Sequence, residues 1–403
     1  MKPASNSRSP DCGADRKQIP LRYGAIALVG LAIYILACTA FSPDDSKVLV
    51  TAADPRSGDT TVLLYDRGTG QLDPLFVPVW MNGVSEKGRD PLMVRPQWTP
   101  DGRSILAIWS FSDVLADEGL NVAVLPLDHG RPVRVLTLPG VEDSGPSLVL
   151  PLAVVKQNLF LRAQTNLVAR INLETGEVRT HLVEGEKPVL MPSFDGDSVF
   201  YVVEVDDEKA AYEFGRLDPG TFAQKPLWRF SSADEVRPAI GPEGDRLALL
   251  DIDDGNLKLR VLGAGRTERT FARPFGELEF KVGMPVFSPN ADRLYACYSS
   301  EGEEESSGSF GLLEIPVGDA PLRKIPLIQN VADTDESDVL LVAASLSHDG
   351  GTAAVSTGYL PMDRDRKFRA ADCALFLIDL TREDRKVKKV LLPMLPRAKP
   401  DGE

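Results

Sequence analysis

Carboxylates are the side chains most available for chemistry in this chain. Its 403 residues hold 59 Asp and Glu against 45 Lys and Arg, a net charge of −14. The acidic residues gather in runs: Glu204, Asp206, Asp207 and Glu208; Asp251, Asp253 and Asp254; Glu303, Glu304 and Glu305; Asp333, Asp335, Glu336 and Asp338. Such runs can dock a cationic surface or share a divalent cation. Arg364, Arg366, Lys367 and Arg369 form one basic counterweight. From these runs the binding candidates are Asp206, Asp207, Asp253, Asp254, Glu304, Asp333, Asp335, Asp338, Arg364 and Arg366. The segment Asp251-Ile252-Asp253-Asp254-Gly255-Asn256 approaches a calcium loop. Its spacing departs from DxDxDG, and no Glu closes it at the right distance. The expectation is therefore no cofactor, with a divalent cation as the alternative. The acidic excess repels phosphate backbones and argues against nucleic acid.

Other chemistry finds little support. Histidines occur at 129, 181 and 348, and cysteines at 12, 38, 297 and 373, without metal-ligand or CxxC spacing. Cys297 and Cys373 sit in or beside apolar strand patterns and read as small core hydrophobes. No GxSxG, HExxH, Walker loop or GxGxxG is present. His129 and His348 fall in predicted tight turns and His181 in a predicted strand, so none presents itself as a general base.

The elements that must carry these residues are announced by a repeat. FSPDDSKVLV begins at Phe41, WTPDGRSILAI at Trp98, IGPEGDRLALL at Ile240, FSPNADRLYAC at Phe287 and LSHDGGTAAVS at Leu346. FDGDSVFYVV at Phe194 is a degenerate copy, and LAVVKQNLFL at Leu152 lacks the Pro-Asp-Gly signal. In each typical copy a strand ends on an apolar residue, a tight turn follows, and an apolar strand leaves. A second hairpin follows each copy, as in TVLLYDRGTGQLDPLF from Thr61, LVARINLETGEVRTHL from Leu167 and ALFLIDLTREDRKVKKVLL from Ala374. Two hairpins make four strands, and the last is often charged, as at Arg385–Lys389, which suits an outer edge. Spacings of 42 to 59 residues fit one blade plus loops.

This pattern of an SPDG turn, an apolar strand and a second hairpin resembles the WD-repeat-like blades of the TolB-type propellers, over residues 41–394. The resemblance implies an all-β propeller of about seven four-stranded blades. Six is the alternative if the third or fourth repeat is misread. Relatives of this kind include periplasmic scaffolds that bind other proteins.

Blade topology sorts the connections onto two faces. Turns between strands one and two, and three and four, share one face and are short. The other face receives the long connections 77–95, 110–120, 299–309, 329–344 and 357–373, where the acidic runs fall. Long loops on a rigid scaffold are where binding is expected.

Ahead of the repeats, Tyr23–Phe41 (YGAIALVGLAIYILACTAF) is 19 residues without a charge, long enough to cross a membrane as a helix. Five basic residues precede it and Asp44 and Asp45 follow, which places the N-terminus in the cytoplasm. The expected organisation is a basic cytoplasmic tail at 1–22, an anchor or uncleaved signal at 23–41, a propeller at 41–395 and a disordered tail at 396–403. The propeller then lies on the outer side of an inner membrane. Ile35-Leu36-Ala37-Cys38 resembles a lipobox, so lipidation of Cys38 is an alternative, as is cleavage of the segment as a secretory signal. The functional expectation is a protein-binding or scaffold module whose partner is a protein or cell-envelope component. The alternative is a propeller hydrolase, lactonase or lyase with a carboxylate-lined or metal-assisted central site.

Overall fold

The computed structural model describes residues 39–53, 60–76, 95–109, 120–128, 133–138, 152–163, 165–206, 210–232, 237–300, 308–331, 339–359 and 374–392. They build seven antiparallel sheets around one ring. Blade 1 holds β1 (Thr39–Phe41), β2 (Lys47–Ala53), β3 (Thr60–Asp66) and β4 (Leu72–Phe76). Blade 2 holds β5 (Arg95–Trp98), β6 (Ser104–Trp109), β7 (Leu120–Pro126) and β8 (Arg134–Leu138). In blade 3 are β9 (Leu152–Val155), β10 (Asn158–Arg162), β11 (Leu167–Asn172) and β12 (Val178–Leu182). Blade 4 follows with β13 (Glu186–Pro192), β14 (Val199–Asp206), β15 (Ala211–Leu217) and β16 (Gln224–Ser231). Blade 5 comprises β17 (Arg237–Ile240), β18 (Arg246–Asp253), β19 (Asn256–Gly263) and β20 (Thr267–Phe271). Blade 6 splits its inner strand into β21 (Phe280–Val282) and β22 (Val286–Phe287), both paired with β23 (Arg293–Ser300), then β24 (Gly308–Pro316) and β25 (Arg323–Val331). Pro285, which has no N–H to give a ladder, sits at the break. Blade 7 closes the series with β26 (Val339–Leu346), β27 (Thr352–Tyr359), β28 (Ala374–Asp379) and β29 (Val387–Leu391).

The third and fourth repeats are both complete blades, so the count is seven. Blade 3 manages without Pro-Asp-Gly because Lys156, at φ +53°, takes the left-handed position of a two-residue turn. Blade 4 keeps the turn chemistry in full. Ser193 supplies the hydroxyl, and Phe194 stands where blades 1, 2, 5 and 6 have proline.

The core consists of seven clusters, each between successive blades. Middle strands are apolar throughout because a neighbouring blade covers each face. In β23, Leu294, Ala296 and Tyr298 face blade 5 while Tyr295 and Cys297 face blade 7. Burial pushes the Cys297 thiol up to about 12, so it packs as a small hydrophobe, as expected from the sequence. Between blades 4 and 5, Phe200, Phe214 and Trp228 stack with centroid spacings of 5.7 and 5.2 Å against Leu247 and Leu249. Gly244 lies beneath them at φ +71°, where a Cβ would fall 2.2 Å from Phe200 Cζ. Only glycine fits that turn.

Among the described residues no strand is exchanged between blades 7 and 1. Side chains close the ring instead. Phe41, Val48, Val50, Leu63 and Tyr65 pack on Ala354, Leu375, Leu377 and Leu392. Thr39 Oγ1 donates to the Ala354 carbonyl (3.2 Å), Lys388 Nζ to Tyr65 Oη (2.7 Å) and Arg67 Nη2 to Thr352 Oγ1 (2.8 Å). The first strand, Thr39–Phe41, lies within the stretch read from sequence as the end of the anchor. Residues 1–38, including Cys38 and the rest of the predicted span, fall outside the described residues. Among the described residues no helix is long and apolar enough to cross a membrane.

Candidate functional site

The inner turns between the first two strands of each blade meet at the axis on one face. In blades 1, 2, 4 and 7 their geometry comes from a buried Ser or Thr and a carboxylate two residues on. Ser347 Oγ donates to Asp349 Oδ1 (2.6 Å) and accepts from the Thr352 N–H (2.9 Å), while the Gly351 N–H donates to Asp349 Oδ1 (2.8 Å). Ser42 with Asp44 (2.6 Å), Thr99 with Asp101 (2.6 Å) and Ser193 with Asp195 (2.5 Å) repeat the device. In blade 6, where Asn290 holds the carboxylate position, Ser288 turns to Asp292 (2.9 Å).

These bonds favour the ionised form. The Ser42, Ser193 and Ser347 hydroxyls, helped by backbone N–H groups, hold Asp44, Asp195 and Asp349 below the ordinary carboxylate value. At Asp101 partial burial pushes upward, but donors from Thr99, Arg103 and Gln157 outweigh it and the net direction is down.

Two of these turns depart at the second turn position, where four blades carry Pro43, Pro100, Pro242 and Pro289. Blade 4 has Phe194 and blade 7 has His348, and the two rings meet at 5.5 Å between centroids. Blades 4 and 7 stand on opposite sides of the ring, so this contact spans the axis. Phe194 is 45 % exposed. Asp45 of blade 1, at φ +58°, anchors the histidine from behind. It accepts from the His348 N–H (2.8 Å) and the Asp349 N–H (3.1 Å), and lies 3.0 Å from His348 Nδ1. The prolines pack beneath: Pro43 touches the position of Gly102, Pro100 that of Gly196, and Pro289 that of Gly350. The result is a rigid apolar hub with ionised carboxylates around it. Sequence reasoning passed over Phe194 and Asp45. The available signal was the replacement of the turn proline at two positions only.

Of the candidates named from the sequence, the described ones, Asp206, Asp253 and Asp254, belong to the opposite face. Asp206 ends β14, and Asp253 and Asp254 end β18 at that side. Asp207, Glu304, Asp333, Asp335, Asp338, Arg364 and Arg366 lie outside the described residues. The segment likened to a calcium loop is a β-hairpin: Asp253 pairs with Asn256 across Asp254 and Gly255, at φ +48° and +74°. Lys258 Nζ reaches Asp253 Oδ2 at 2.5 Å. Among the described residues no group of three or more His, Cys, Asp or Glu converges as metal ligands would.

No protein-family model matches the chain, and no curated protein sequence matches it. Solved structures resemble it in architecture. TolB from Acinetobacter baumannii is 15 % identical with a TM-score of 0.43, over 69 % of this chain and 65 % of TolB, so the chain spans about two thirds of that protein's length. A putative 6-phosphogluconolactonase from Bacteroides fragilis is 13 % identical with a TM-score of 0.49, over 86 % and 94 %. The Swd1 β-propeller domain from Myceliophteria thermophila is 10 % identical with a TM-score of 0.46, over 89 % and 98 %. The seven sheets themselves bear out the propeller fold that the repeats resemble. At these identities the likeness to solved structures concerns the fold alone.

Proposed function

We propose that this chain is a membrane-anchored, extracytoplasmic β-propeller that binds a protein or cell-envelope component and works as a scaffold. The observation that carries this reading is the unequal length of the connections on the two faces. Inner turns such as 42–46, 99–103 and 347–351 are short and tied by hydrogen bonds, whereas the opposite connections include 77–94, 139–151 and 360–373. Seven buried seams make the ring a stiff platform, and long loops on such a platform are suited to recognition. Asp206, Asp207, Asp253, Asp254, Glu304, Asp333, Asp335, Asp338, Arg364 and Arg366 would form the contact surface. Its acidic bias selects a basic partner. Tyr23 onward would hold the protein in the inner membrane, and the long-loop face would lie toward it because the chain enters β1 from that side.

The test is reversal of charge at Asp333, Asp335, Glu336 and Asp338, followed by crosslinking and recovery of the partner from membranes. Recovery should fall severalfold and become insensitive to added salt, while Asp218→Asn in an outer turn of the other face leaves it unchanged. Undiminished recovery from the reversed variant refutes the facial assignment. Mass spectrometry of the purified N-terminus separates an intact Met1 from a lipidated Cys38.

A further inference from the structure

The tight-turn face has a feature that its role as a set of strand connectors does not require. The corresponding turn carries proline at this position in blades 1, 2, 5 and 6, after Ser42, Thr99, Gly241 and Ser288. Phe194 therefore contributes nothing that the turn itself needs. It adds a large apolar ring at the axis, 45 % exposed, supported from the far side by His348, which is 41 % exposed. A Phe side chain left half in water forgoes part of the stabilisation that full burial would give.

The surrounding turns carry a net negative charge. Within 42–46, 99–103, 156–157, 193–198, 241–246, 288–293 and 347–351 there are nine carboxylates and four Lys or Arg. Three of those cations lie beside carboxylates of the same face: Lys156 at 3.5 Å from Asp197, Arg246 at 4.0 Å from Asp245 and Arg293 at 3.5 Å from Asp292. Asp44, Asp101, Asp195 and Asp349 are exposed. Each commits Oδ1 to its turn, which fixes the carboxylate; Asp101 Oδ2 also accepts from Gln157 Nε2 (3.4 Å), and Oδ2 of Asp44, Asp195 and Asp349 is the oxygen to meet a partner. These groups lose little rotamer freedom on binding. An apolar anchor ringed by immobile negative charge matches a surface with the opposite charge at its rim.

We propose that the axial hub of the tight-turn face, centred on Phe194 and His348 and rimmed by Asp44, Asp101, Asp195 and Asp349, is a second docking surface. Its partner is a protein segment that presents an apolar side chain flanked by lysine or arginine. The proposal stands whether or not the acidic loops of the other face bind anything.

The test uses the full chain in detergent micelles and a fluorescein-labelled hexapeptide, lysine-lysine-leucine-tryptophan-lysine-lysine, read by anisotropy. A glutamate-flanked peptide and one with serines in place of leucine-tryptophan serve as comparisons. The lysine-flanked peptide should bind, and both comparison peptides should bind at least tenfold more weakly. Phe194→Ser should weaken binding at least tenfold. Phe194→Pro should do the same, and it installs the residue that four sister turns already fold with, so a loss there cannot be put down to a broken turn. Asp44→Asn with Asp195→Asn keeps a turn acceptor, and should remove most of the salt dependence. Unchanged binding in Phe194→Pro, equal binding of the glutamate-flanked peptide, or binding lost only on charge reversal in 333–338 each overturns the proposal.

Discussion

Ser347 and its counterparts show how a few atoms set the shape of a whole face. Each hydroxyl is buried and serves both as donor to a carboxylate and as acceptor for a backbone N–H, so the turn's polar groups are satisfied where water cannot reach. Removing one should be costly. Ser347→Ala is expected to lower stability by about 1–2 kcal/mol near neutral pH, measured by urea unfolding. The pH dependence has a definite sign. Asp44, Asp101, Asp195 and Asp349 have folded values below the ordinary 3.8, so they bind fewer protons folded than unfolded. Their contribution is present above that value and is lost as the pH falls through the folded values. The wild-type chain should therefore lose stability on acidification below about pH 4. The deficit of Ser347→Ala should shrink there, because the bond that holds Asp349 down is already absent. A deficit that is the same at about pH 7 and about pH 3 would show that the Ser347–Asp349 bond does not underlie it.

Strands and seams are where reading from sequence succeeded and where its limits lie. Apolar runs such as LYACY in β23 and VFYVV in β14 were legible because a middle strand buried on both faces needs no alternation. The blade 4 turn looked degenerate only because Phe194 hid a Ser-x-Asp-Gly sequence. Blade 3 was obscured because Lys156 takes positive φ without help from Gly or Asn. The axial hub was not legible as a site, since nothing in a linear pattern says that residues 194 and 348 meet across a ring. Another long-range feature, also unforeseen, lies between blades 6 and 7. Glu314 is 5 % exposed and receives Arg385 Nη2 (2.8 Å) and Nε (3.0 Å) from the last turn, together with Arg293 Nη1 of its own blade. Arg385 also donates to the carbonyls of Leu380 and Arg382, so its fork is fully used. Arg385→Ala should destabilise by about 3 kcal/mol, because a buried carboxylate loses its better-shielded partner. Joint replacement, Arg385→Met with Glu314→Gln, should recover most of that loss, since the charge that needed compensation is gone. Chemical denaturation of the two variants checks this, and a double variant no better than the single one argues against a buried ion cluster.

At the scale of the ring, closure depends on β1, whose described residues are Thr39–Phe41. Thr39 and Phe41 are buried against blade 7, Ser345 Oγ donates to Thr39 Oγ1 (3.0 Å), and Trp98 Nε1 of blade 2 donates to the Ala40 carbonyl (3.0 Å). This strand thus ties the last blade, the first and the second. The sequence placed these residues at the end of a hydrophobic anchor, and their composition suits either role because a strand buried in a seam is as apolar as a membrane span. The two roles separate on truncation. Removing residues 1–38 should release a propeller that stays in solution without detergent and melts as the full chain does. Removing 1–41 also takes Phe41 out of the 7–1 seam and leaves the Trp98 indole N–H without its acceptor. The loss of a Phe-sized group from a core costs about 3–5 kcal/mol, which for a domain of this size lowers the melting temperature by roughly 4–7 °C. Equal melting of the two truncations would show that β1 does not close the ring. Full-length protein that remains in solution without detergent, with its N-terminus intact, would remove the anchor from the proposed function while leaving the propeller as described.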